Sequence, residues 1–185
     1  RYNTTGGSNT ASGYEALDSN TTGARNTASG FRALYANTTG DNNTASGYEA
    51  LRYNTTGDYN TATGDYALRM NETGTMNMAS GGYALYSNRT GSYNMASGRQ
   101  ALFSNTTASF NTAVGYEALF DANRTADVNA YNTALGYQAG NTGTNDITTG
   151  DKNVLIGSST AASKAAATNQ IVIGHGASGT GDNYA

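Results

Sequence analysis

Apolar residues in this chain follow neither a sustained two-residue alternation nor a 3.6-residue rhythm; they return singly at a fixed offset of 17. Each copy of the motif N-T-A-S-G-Y-E-A-L-x-x-N-T-T-G-x-x places Ala at its third and eighth positions and Leu at its ninth, from Leu17 to Leu119, with Asn, Thr, Ser and Gly between them. Copies begin at Asn9, Asn26, Asn43, Asn60, Asn77, Asn94 and Asn111, then at Asn132 and Asn153 after four-residue insertions, and a degenerate one begins at Gln170. A fixed short period of this kind predicts a solenoid in which every copy is one coil.

Glycine punctuates each coil twice, at the fifth position (Gly13, Gly30, Gly47 onward) and again at Gly23, Gly40, Gly57, Gly74 and Gly91. Glycine suits turns with positive φ or close backbone approach. Asn, which also tolerates left-handed geometry, stands at the first and twelfth positions and reads as a second turn residue. The intervals of about four to six residues have the length of short strands. Tyr14 to Leu17 has helical propensity, yet a 17-residue coil leaves room for one helical turn at most. The fold class is therefore all-β, a parallel β-solenoid of about eleven 17-residue coils, with like residues stacked roughly 4.8 Å apart in a rod on the order of 50 Å long. Asn9, Asn26, Asn43, Asn60, Asn77, Asn94, Asn111, Asn132 and Asn153 should form one ladder, and the Ala and Leu positions others.

The seventh position runs Glu15, Arg32, Glu49, an alternation of sign that relieves repulsion between rungs and reads as a solvated face. Tyr14, Phe31 and Tyr48 at the sixth position, with Tyr59, Met76, Tyr93 and Phe110 at the seventeenth, read as packing rungs rather than a cofactor box. One Leu and two or three Ala per coil make a thin core, weakly driven against the cost of ordering the backbone. Burial of the Leu or aromatic face by a parallel bundle of identical chains, a homotrimer or a filament, answers that shortfall.

Residues 1–120 form the regular rod and 121–185 a degenerate continuation of the same solenoid. In the continuation the fourth position changes from Ser to Val114, Leu135, Ile156 and Ile173, predicting a more apolar interior. Insertions around Asp121 to Tyr131 and Asn141 to Lys152 read as protruding loops. The Ala-rich stretch Ser159 to Thr168 has the composition of a short helix.

Composition narrows the chemistry. The chain is polar but sparsely charged, 12% charged residues with a formal net charge of −3, and its strict order separates it from disordered segments. Without cysteine there is neither a disulfide framework nor a thiolate metal site. Ten scattered basic residues give no cationic stripe for nucleic acid, and no apolar run approaches the ~18 residues of a membrane span. Because Asn3-Thr4-Thr5-Gly6 matches Asn20-Thr21-Thr22-Gly23, the chain opens in mid-motif, as a piece of a longer protein would.

Catalytic, cofactor and metal residues are expected to be none. His175 is the sole histidine and sits in the turn-like Gly174-His175-Gly176. Glu15, Glu49, Asp18 and Asp121 recur only loosely as carboxylates for glycan cleavage. Asn-x-Thr at Asn3, Asn20, Asn37, Asn54, Asn71, Asn88, Asn105 and Asn123 is an acceptor pattern for N-glycosylation; the same residues serve equally as a turn Asn and a hydrogen-bonding Thr. Regular Thr arrays also fit ice binding, although Tyr, Glu and Arg interrupt a flat face. The nonapeptides of calcium-binding repeats are missing.

Asn153-Val154-Leu155-Ile156-Gly157 and Gln170-Ile171-Val172-Ile173-Gly174 resemble the head repeats of trimeric autotransporter adhesins. Asn111-Thr112-Ala113-Val114-Gly115-Tyr116-Glu117-Ala118-Leu119 is similar to the repeat arrays of phage tail fibres. The resemblance covers essentially the whole chain and implies a left-handed β-roll in a homotrimeric fibre, exposed on a virion or cell surface. The expected function is structural and adhesive, with reach and multivalent attachment to a cell surface or its glycans. A glycosylated surface or matrix filament is the nearest alternative, ahead of an ice-binding solenoid or a tailspike glycan hydrolase.

Overall fold

The structure is a computed structural model that describes residues 3–122, 129–143 and 148–183. Ten strands of three residues follow one another, one per motif copy: β1 (Thr10–Ser12), β2 (Thr27–Ser29), β3 (Thr44–Ser46), β4 (Thr61–Thr63), β5 (Met78–Ser80), β6 (Met95–Ser97), β7 (Thr112–Val114), β8 (Thr133–Leu135), β9 (Val154–Ile156) and β10 (Ile171–Ile173). They form a single parallel sheet in sequence order, β1 to β10, which is a β-solenoid. Register is residue on equivalent residue: Ala11 pairs with Ala28, Ala45 with Ala62, and Leu135 with Ile156. The partial copy before β1 also stacks, since Thr4 N–H donates to the Thr21 carbonyl at 2.9 Å.

Three-residue strands are shorter than the four to six that the turn spacing suggests, yet the hydrogen bonding between coils extends well beyond them. In the second coil Gly30 and Arg32 donate back to Ser12 and Tyr14, whereas Leu34, Ala36 and Thr38 donate forward to Ala50, Arg52 and Thr55, at 2.8 to 3.0 Å. The backbone is thus satisfied by its neighbours along the axis, as a buried backbone requires.

The geometry that permits this lies where the sequence does not advertise it. Left-handed φ is taken by non-glycine residues at three recurring positions: the seventh (Glu15, 54°; Arg32, 53°), the ninth (Leu17, 52°; Leu34, 51°) and the seventeenth (Arg25, 58°; Tyr59, 56°). Each costs roughly 1–2 kcal/mol for an L-residue, a strain offset by the axial hydrogen bonds and by burial. The asparagines at the first and twelfth positions are not left-handed turn residues, which corrects that part of the sequence reading. Of the two glycine columns, Gly47 needs both its φ of 140° and its lack of a side chain, because a Cβ there would meet Gly64 O at 2.5 Å.

The interior is sealed by one chain. Ala33, Leu34, Ala45, Ala50 and Leu51 are fully buried, and the Leu column continues inside through Leu119, so the Leu face needs no second chain to cover it. The change along the chain also lies elsewhere than expected. Leu135 and Ile173 at the fourth position point outward, 48% and 66% exposed, while the interior enlarges at the third position through Leu155 and Val172. Ser159 to Thr168 is not helical: Ala161 bridges to Ser178 in parallel, and Ala161, Ala162 and Ala167 are buried in the stack. The proposed insertion loops fall partly outside the described residues.

Candidate functional site

Two buried asparagine columns run along the interior. At the twelfth position Asn20, Asn37, Asn54, Asn71, Asn88 and Asn105 each donate Nδ2–H to Oδ1 of the equivalent residue one coil earlier, beginning with Asn3, at 2.7 to 2.9 Å. The same amide group donates to the carbonyl three residues on, for example Asn37 to Gly40 at 3.0 Å. At the first position Oδ1 of Asn26 accepts the backbone N–H of Asn43 at 2.9 Å, and Nδ2 of Asn26 donates to Gly40 O at 2.7 Å. Both columns therefore converge on one carbonyl per coil, that of Gly23, Gly40, Gly57, Gly74 or Gly91 and then of Ala108, using its two lone pairs. The first-position ladder holds from Asn9 through Asn60, Asn77, Asn94, Asn111, Asn132 and Asn153, and Gln170 N–H closes it on Asn153 Oδ1 at 3.1 Å.

That arrangement bears on N-glycosylation. From Asn20 to Asn105 the acceptor asparagines are at most 1% exposed, with both amide hydrogens engaged, so a glycan on any of them is incompatible with the stack. Asn3 is exposed, and Asn123 lies outside the described residues.

The side formed by the seventh and tenth positions is zipped up by its own charges and rings. Arg32 Nε lies 2.6 Å from Glu15 Oε2, and this guanidinium, ahead of every other influence, holds the Glu15 carboxyl below the usual range. Glu49 is gripped by Arg52 at 2.8 Å and Arg69 at 2.6 Å and is only 5% exposed, so this side is not the solvated face that the charge alternation suggested. Arg69 also lies over Tyr53 and donates to the Tyr86 hydroxyl at 3.0 Å, and Tyr86, Phe103 and Phe120 continue the column as stacked rings. Arg52, from the tenth position, completes the Glu49 pairing; the seventh-position pattern alone did not reveal it.

Of the carboxylates considered for glycan cleavage, three have defined partners. Glu15 and Glu49 are spent in these ion pairs, and Asp121 accepts from Ser104 Oγ at 3.2 Å. Among the described residues no group of three or more His, Asp or Glu side chains is placed to hold a metal ion, and His175 is exposed in a surface turn.

The side that is both open to solvent and apolar is the strand side. Every large hydrophobic residue exposed among the described residues lies on a strand or two residues from its end. Met78 and Met95 are outward on the strands, Tyr59, Tyr93 and Phe110 precede them, and Tyr14, Tyr116 and Tyr137 follow. The flanking rings stack on one another along the axis, Tyr93 on Phe110 at 5.0 Å and Phe110 on Tyr131 at 4.9 Å, so their faces are taken and their edges are presented.

No family model matches the chain, and no curated protein matches it.

Proposed function

We propose that this chain is a structural and adhesive segment of an extracellular fibre, borne on a virion or cell surface and assembled as a homotrimer. The observation that carries the reading is the contrast between a sealed interior and an open strand side lined by apolar residues along the rod. Ten strands at about 4.8 Å per rung span on the order of 40 Å, and the asparagine columns make that span stiff without a large core. Three such rods would multiply weak surface contacts by avidity. Because the ring faces are occupied, contact with surface glycans would use ring edges and hydroxyls rather than ring stacking.

An ice-ordering face would need a longer hydroxyl array. Thr10, Thr27, Thr44 and Thr61 give way to Met78 and Met95 after four coils, which favours the fibre. Electron microscopy of the native assembly tests the proposal. Rods projecting from a particle or cell support it, and a dispersed single-chain protein would remove its basis.

A further inference from the structure

The second and fourth positions of each coil supply the two central columns of the strand side, and neither column holds a charged residue from Thr10 to Ile173. Charge begins in the flanking columns, at Arg25, Asp65, Arg99 and Lys152, each two residues from a strand end, and elsewhere it occurs in pairs across coils, as in Arg89–Glu72. A surface apposed to a copy of itself repeats each of its charges in the partner, so neutrality is what a self-complementary face needs. A uniform rung spacing over ten coils is also matched along its full length only by a partner with the same period.

Direction is encoded as well. In β1 to β4 the two columns are all Thr and Ser; from β5 Met enters the second column, and from β7 Val114, Leu135, Ile156 and Ile173 fill the fourth. Set antiparallel, two copies would bury Ser46 of β3 against Leu135 of β8, covering hydroxyls with aliphatic groups that offer no hydrogen bond. Set parallel and in register, apolar rungs meet apolar rungs, and the hydroxyl rungs meet each other, where they can hydrogen-bond or hold water.

We infer that a second copy of this chain seats on the strand side, parallel and in register, with the apolar rungs from Met78 to Ile173 as its anchor and the Thr/Ser rungs as a wetter extension. The inference rests on the proposed oligomeric fibre and adds its contact face and, from the rungs of that face, a reason for the parallel setting.

The absence of cysteine makes the test clean, since any thiol is the one introduced. Ser29→Cys, Ser46→Cys, Leu135→Cys and, as a control at another exposed column, Thr73→Cys are each treated with a short bis-maleimide, and the unmodified chain is weighed by light scattering in parallel. The expected result is cross-linking of S29C, S46C and L135C each to itself, with T73C at least tenfold less. Self-products absent for S46C and L135C but abundant in their mixture would show antiparallel seating and overturn the inference. An oligomer cross-linked through T73C alone would overturn the face while leaving the fibre proposal standing. A monomeric mass with no cross-linking would overturn both.

Discussion

Asn105 donates its side-chain amide to Oδ1 of Asn88 at 2.8 Å, but its own Oδ1 is buried without a partner, because the next rung is Ala122. The twelfth-position column ends there. Ala122 keeps the backbone bond of the rungs below it, N–H to the Leu119 carbonyl at 3.2 Å, as Asn105 does to Leu102. Ala122→Asn should therefore extend the column by one rung and stabilise the chain by about 1 kcal/mol, seen as a rise of roughly 2–4 °C in thermal midpoint. A fall in midpoint would mean that the orphaned oxygen is not the deficit described.

Within the column the same logic runs in reverse. Asn54→Ala leaves Asn37 Oδ1 and the amide of Asn71 without their axial partners and takes one donor from Gly57 O. At about 1–3 kcal/mol for each buried unpaired group, a loss of several kcal/mol is expected in urea unfolding. Thr73→Ala, at an exposed position, should stay within about 0.5 kcal/mol. Equal effects of the two substitutions would contradict the asparagine columns as the interior scaffold.

How far the sequence foretold this depends on which side of the chain a residue faces. The 17-residue period, the parallel stacking, the Ala and Leu ladders and the first-position Asn ladder were legible because identical residues at one spacing can stack in only one register. Inward and outward were not. Asn20 and Ser12 are both small and polar, yet the first is buried and the second exposed, because Asn carries a donor and an acceptor that continue through the stack. Ile173 is apolar yet exposed for the complementary reason: the strand alternation turns the fourth position outward whatever occupies it. Glu49 gave no sign of burial because Arg52 and Arg69, which pair with it, belong to another column.

The fifth-position glycines offer a sharp contrast. Gly47→Ala places a methyl within 2.5 Å of Gly64 O at a φ of 140°, so the local stack must open. Gly7→Ala meets nothing within 4 Å, and Gly7 is not among the positive-φ residues. G47A should lose protection from hydrogen exchange in the coils around β3 and β4, whereas G7A should exchange like the parent chain. Indistinguishable exchange in the two variants would rule out the close approach of successive coils at that column.

Acid should loosen the C-terminal end first. Asp182 is held below the usual carboxylate range chiefly by its hydrogen bond with Lys164, 2.7 Å away, and next by the Thr168 backbone N–H. A carboxyl depressed in the folded state stabilises it above the unfolded pKa, and that contribution is lost as pH falls through the folded value. Protection of the Thr168 and Asn183 amides, taken relative to their intrinsic exchange rates, should thus fall on acidification earlier than that of the Leu51 or Leu68 amides. Asp182→Asn should flatten the dependence, and an unchanged acid profile in D182N would discount the ion pair.

The most direct measurement for a fibre of three chains is the solution mass of the folded protein by sedimentation equilibrium at micromolar concentration. A trimer predicts a mass about three times the 19.1 kDa of one chain, with a thermal midpoint that rises with concentration. A folded, concentration-independent species of 19.1 kDa would contradict it.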